Sequence, residues 1–217
     1  MKTMEKVFDE QESLKLITDM ISQARERFQQ RNGNGIILWG YSIMALALAN
    51  FVLLQTLAGE CKTYAYMVWL CSIPLFAAHY IYEVRTAKAK EHAGNYIDKM
   101  IGYVWAASFV TNLILVASVF ILACVVLREY QGWTMFLVIN PAIMSAVGLC
   151  LFINGQLCRF RPFVYGAVVF WAGALASALV MMVCGDQSMQ FIILALCMIL
   201  GFIIPGHMLN RKTGQDV

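Results

Sequence analysis

The sequence predicts an all-α polytopic membrane protein: six transmembrane helices in three hairpins, preceded by a cytoplasmic amphipathic helix. Two observations carry this. The chain of 217 residues is 60% hydrophobic and 13% charged, whereas soluble domains carry about 25% charged residues. Six apolar runs then follow Gly35, at 36–57, 64–82, 101–127, 134–157, 163–184 and 189–209, and none holds an Asp, Glu, Lys or Arg. Each is near the ~20 residues that span a hydrocarbon core of ~30 Å. A chain with so little charge cannot cover a water-facing surface, which excludes a soluble enzyme, a nucleic-acid-binding domain and a disordered tail. Three segments result: a cytoplasmic helix and joint over 1–34, the bundle over 35–210, and a tail over 211–217.

The first element is the N-terminal helix. Asp9-Glu10-Gln11-Glu12 reads as a capping box, Asp9 accepting backbone N–H bonds and Glu12 reaching back. Leu14, Ile17, Ile21, Ala24 and Phe28 recur at spacings of 3, 4, 3 and 4, a narrow apolar seam. Asn32-Gly33-Asn34-Gly35 reads as a helix end and a flexible joint. Glu10, Glu12 and Asp19 offset Lys15, Arg25 and Arg27, so the charge is more mixed than on a lipid-surface helix. The seam therefore meets protein: the ends of its own spans, a second copy, or a soluble partner.

The spans must be helices, since lipid leaves no other way to satisfy their backbone groups. Orientation follows from the basic residues. Fourteen of the sixteen Lys and Arg, from Lys2 to Arg31, from Arg85 to Lys99, at Arg159 and Arg161, and at Arg211 and Lys212, fall on one side. Only Lys62 and Arg128 fall on the other. This split places both termini in the cytoplasm. No apolar core precedes residue 35, so residues 1–34 do not read as a signal peptide. The 83–99 loop is expected to extend the second span as a helix, and its basic residues serve topology or hold anionic headgroups.

Trp39, Trp105 and Trp171 open the odd-numbered spans at an interval of 66, and Pro74, Pro141 and Pro205 follow in the even ones. This is the pattern of three related hairpins. The competing reading is that Trp favours membrane interfaces anyway. The prolines are expected to kink their helices. The fifth run, rich in Gly and Ala around Gly173 and Ser177, is expected at the bundle centre or on a dimer face.

Polar residues inside the spans are few. His79, Asn154, Gln156 and His207 all lie near the cytoplasmic ends of even spans. If those helices face one another they form a polar vestibule; the competing reading is separate hydrogen bonds between helices. Two histidines without a carboxylate or thiolate are a poor metal set, and no cofactor is implied. Seven cysteines lack clustered spacing, leaving one bridge, Cys61–Cys184, open. The spans hold no ionisable relay and no serine with a visible base, so no enzyme is expected and no catalytic residue is assigned. Gly33-x-Gly35 with Gly40 lacks dinucleotide-binding spacing.

Glu12-Ser13-Leu14, Leu38-Trp39-Gly40, Tyr96-Ile97-Asp98-Lys99, Ile101-Gly102-Tyr103, Phe160-Arg161-Pro162 and Ile204-Pro205-Gly206-His207 together resemble an uncharacterised family of six-span inner-membrane proteins of Bacteroidota. The resemblance covers nearly the whole chain. It implies a bacterial inner membrane and association with a cytoplasmic regulator, and adds no catalytic residue. The function expected is a non-enzymatic membrane protein. It engages a cytoplasmic protein partner or a homo-oligomer through the N-terminal helix, with membrane lipid around the bundle and no nucleic acid. The alternative is a small transporter or channel for an uncharged or amphipathic solute.

Overall fold

Backbone amides in hydrocarbon find no water, so an apolar chain satisfies them helix by helix. The computed structural model describes residues 10–89, 96–121 and 138–215, and among these residues there is no strand. In chain order the elements are α1 (Glu10–Thr56), α2 (Lys62–Ala65), α3 (Ser72–Ala89), α4 (Tyr96–Ile121), α5 (Ile139–Leu157), α6 (Arg161–Cys184), α7 (Met189–Met198) and α8 (Ile204–Gln215). A 3-10 segment, Tyr66–Cys71, leads into α3, and a π segment, Ile199–Ile203, joins α7 to α8.

Five stretches are long and apolar enough to cross a membrane: Gly33–Thr56, Lys99–Ile121, Ile139–Leu157, Arg161–Met181 and Met189–Arg211. The protein is therefore a multi-pass helical membrane protein. The run expected at 64–82 corresponds to a shorter apolar helix, Tyr66–Tyr82. Parts of the runs at 101–127 and 134–157, the Arg128 loop and the capping residue Asp9 lie outside the described residues.

One boundary differs from expectation. The helix does not end at Asn32–Gly35; α1 is continuous from Glu10 to Thr56. Gly inside a helix costs about 1 kcal/mol relative to Ala, and packing offsets this. A methyl group at Gly33 would overlap the side chain of Asn210 on α8. Asn210 Nδ2 donates to Asn34 Oδ1 at 2.6 Å. The Asn-Gly run is thus a docking surface for α8 rather than a joint.

The bundle is built around α6, α7 and α8. α6 packs along α5 on one side and along α7 and the π segment on the other; α7 and α8 pack along α1; α4 lies on α5 and α1. α3 is peripheral, packing on α1, with Phe76 also 6.2 Å from the Phe109 ring of α4. Small residues permit the closest approaches, as expected where no hydrophobic force drives helices together in lipid. A Cβ on Gly166 would sit 3.0 Å from Gly201 Cα, and one on Gly40 would sit 2.7 Å from Ile203 Cγ1. Phe202 occupies the centre, 5.7 Å from the Phe170 ring and 6.1 Å from that of Trp105. In the fifth run, Gly173, Ala174 and Ser177 face inward and are buried, while Ala172 and Ala178 are exposed.

The prolines divide: Pro141 is near the start of its helix, while Pro74 and Pro205 lie inside the continuous helical stretches Tyr66–Tyr82 and Met189–Arg211, where a kink was expected. Pro74 and Pro141 are the third residues of α3 and α5, and Pro205 is the second residue of α8. At Pro141, in the first turn, the missing N–H is harmless. Before Pro74 the chain is 3-10, and before Pro205 it is π. The helices thus change pitch ahead of those two prolines.

Gly166→Leu should destabilise the bundle by about 1–3 kcal/mol, because the added atoms meet backbone that cannot turn aside. Gly102 on α4 has nothing within 4 Å of an added Cβ, so Gly102→Ala should be neutral or stabilising by about 0.4–1 kcal/mol. Denaturant titration in mild detergent, followed by circular dichroism, separates the two.

Candidate functional site

The seam comes first. Leu14 and Ile17 lie on α1 and are 65% and 55% exposed, beside Leu16 and Met20, which are also exposed. Ile21, Ala24 and Phe28 lie on the same helix, but their side chains fall outside the described residues. The chain's own spans do not cover Leu14 and Ile17, which removes self-packing as the reading for these two positions. The reason is geometric. α1 is unbroken, so residues 10–32 span about 35 Å of helix before Gly33 at the helical rise per residue. Thr18 and Ser22 donate their hydroxyls back to Leu14 and Asp19 carbonyls, so these polar side chains are turned onto their own helix.

The four polar residues do not form one vestibule. His79 on α3 is buried, with the Trp39 indole edge-on at 4.7 Å. Asn154 is buried on α5, where its backbone carbonyl accepts the Cys158 N–H at 2.9 Å. Gln156 is exposed, as is His207, whose Nε2 lies 3.5 Å from Tyr41 Oη. Most of the packing of the even-numbered segments is on odd-numbered neighbours, α3 on α1, α5 on α4 and α6, and α8 on α1; where they meet one another, at Tyr66 and Trp69 against Phe191 and at Asn140 on the Gln190 carbonyl, it is near the Ser188 end of the bundle, away from His79 and His207. Among the described residues no three of His, Cys, Asp and Glu are placed to hold a metal ion. Cys61 and Cys184 are both free and exposed, so the bridge left open in the sequence is not formed.

A feature that sequence reasoning missed lies between α1 and α3. Trp39 packs, tilted, on the Phe76 ring at 4.3 Å as well as edge-on against His79. These rings set the spacing of the two helices. Beside them the small side chains of Ser42, Ser72 and Ala78 leave a cleft of about 270 Å³. A second cleft of about 350 Å³ shares Leu38 and Tyr82 with the first and continues to Asn34 and Tyr41. The available signal was large aromatics on α1 and α3 with no large residue at Ser42, Ser72 or Ala78 to fill the space between them.

The opposite end of the bundle is tied by a polar latch. Gln55 Nε2, at the end of α1, donates to Ser188 Oγ at 2.7 Å and to Asp186 Oδ2 at 3.3 Å. Ser188 donates its backbone N–H and its hydroxyl to Asp186 Oδ1, at 2.9 and 2.8 Å. Tyr66 Oη donates to Gln187 Oε1 at 2.9 Å. Deeper in, Asn50 is fully buried and donates to the Ala65 carbonyl at 3.1 Å. Gly185, in the left-handed conformation at φ 66°, ends α6 and turns the chain toward the latch. The Ser188 backbone N–H, and then its hydroxyl, with Gln55 and the Lys62 charge, hold the Asp186 carboxyl below its ordinary range.

A carboxyl lowered in the folded state stabilises above its ordinary titration range and loses that contribution as pH falls through the lowered value. The wild-type protein should therefore lose thermal stability on acidification beyond the loss seen in Asp186→Asn. At neutral pH the variant should melt below wild type. Melting curves in detergent across the acidic range check both. No family model, curated protein or solved structure matches this chain.

Proposed function

We propose that this is a non-enzymatic inner-membrane protein that presents its N-terminal helix in the cytoplasm to a protein partner or to a second copy of itself. The observation that supports this is the exposed pair Leu14 and Ile17 on an unbroken helix that extends well past the membrane-crossing stretch. Exposed apolar side chains at heptad spacing are the usual currency of helix–helix docking.

The topology belongs to the same proposal. Tyr66–Tyr82 is the sixth crossing. With it, fourteen of sixteen Lys and Arg share the side of both termini. Without it, the same residues would divide seven against nine, and no charge bias would orient the chain. The fourteen-residue side is the cytoplasm, and the resemblance to Bacteroidota membrane proteins supports a bacterial inner membrane. The transport reading draws only on the lateral cleft, since Phe202, Phe170 and Trp105 fill the bundle centre.

A photo-crosslinking residue at Ile17 in intact cells should capture another polypeptide, identified by mass spectrometry. Leu14→Asp should reduce that capture at least several-fold, while membrane insertion is unchanged. Capture confined to the same chain, or capture indifferent to Leu14→Asp, would end this reading.

A further inference from the structure

The cleft between α1 and α3 points to a second property, independent of the N-terminal seam. Its walls lie in apolar stretches, Gly33–Thr56 and Tyr66–Tyr82, so, resting on the proposal that Tyr66–Tyr82 is the sixth crossing, the medium outside it is lipid rather than water. α3 packs on α1 and carries Ile73, Tyr80 and Ile81 exposed on its surface. The deeper part of the cleft is lined by Trp39, Phe76 and small side chains. The part nearer the N-terminal extension carries Asn34, Tyr41 and Tyr82. An apolar slot that becomes polar toward one membrane surface has the profile of a lipid: chain in, headgroup at the interface.

The charge at that end selects the headgroup. Arg85 is exposed one turn beyond Tyr82 on α3, and residues at i and i+3 share a helix face. In sequence, residues 83–91 carry Arg85, Lys88 and Lys90 against Glu83 and Glu91. On α8, Arg211 is exposed one turn beyond His207, which lies 3.5 Å from Tyr41. Two elements thus bring basic residues to the polar end of the cleft. Basic residues beside a membrane surface favour anionic headgroups. We propose that this cleft binds one acyl chain of an anionic phospholipid from the leaflet on the side of the N-terminal extension, with Arg85 and Arg211 at its phosphate.

Trp39, in the wall of the cleft, supplies the reporter. The full chain, with Trp69, Trp105, Trp133 and Trp171 changed to Phe, is reconstituted in vesicles containing a low mole fraction of bromine-labelled phosphatidylglycerol or phosphatidylcholine. The phosphatidylglycerol should quench Trp39 several-fold more strongly. Arg85→Gln with Arg211→Gln should erase the difference. Ala78→Leu, which fills the cleft, should weaken quenching by both lipids. Equal quenching by the two lipids would overturn the proposal, since it marks ordinary surrounding lipid. So would quenching unaffected by Ala78→Leu, or a Trp39 shielded in a dimer, which would make a second copy the occupant.

Native mass spectrometry of the unaltered protein, released from nanodiscs of the two lipids mixed, keeps the test open if the single-Trp chain does not fold. Preferential retention of phosphatidylglycerol supports the site; release bare, or with both lipids equally, overturns it. Ile17→Asp should leave these results unchanged, so a failure here is distinct from a failure of the seam.

Discussion

The bundle depends on the contact between Gly166 on α6 and Gly201 in the π segment. In water, burying apolar area would draw these helices together. In lipid that force is absent, because the acyl chains are as apolar as the side chains, and association rests on close packing. Dispersion falls off steeply with a gap of even half an ångström to one ångström, so backbone contact at one point determines how well everything beside it packs. With no side chain on either glycine, α6 and the π segment meet at the main chain. The π segment also adds a residue to the local turn. This places Phe202 in the middle, against Phe170 and Trp105, and sets Gly40 of α1 against Ile203.

That arrangement explains why α3 is left outside. α1 already presents Gly33 and Gly40 to the last helix. Its other side meets α3 through the Trp39, Phe76 and His79 rings. Large rings at one level and small residues beside them produce a gap, not an interlocked seam. The same helix, α1, therefore has a tightly packed side and a loosely packed side, and the cleft lies on the loose one. The Asn50 and Gln55 hydrogen bonds hold the far end, where loops return to water and a polar latch is compatible with its surroundings.

The helical membrane class was legible because apolar run length and missing charge answer directly to the thickness of the bilayer. So was the role of the small residues around Gly173 and Ser177. Asn32–Gly35 misled because Gly and Asn ordinarily end helices, and only the presence of Asn210 from a segment more than 170 residues away explains their position inside one. The prolines divided: Pro141 sits in a first turn, which spacing alone does not reveal, whereas Pro74 and Pro205 lie inside continuous helices beside a change of pitch. The polar residues near the even-span ends were read as one group. Their grouping failed, since depth along a helix is readable from sequence but rotation about its axis and choice of neighbour depend on packing. The cleft was not legible at all, because an absence between two helices appears only when both are placed.

The unbroken α1 links the two candidate surfaces mechanically. A joint at Asn32–Gly35 would let the seam move freely of the bundle. A continuous helix does not. With Asn34 held by Asn210 and Trp39 by α3, the direction of the extension is set by what packs on both sides of α1 at the membrane edge. Over a rod of about 35 Å, a tilt of roughly 5° at Gly33 carries the tip by about 3 Å, more than half the spacing between neighbouring side chains on a helix face. An unbroken α1 thus ties the direction of Leu14 and Ile17 to the contacts it makes at Asn34 and Trp39.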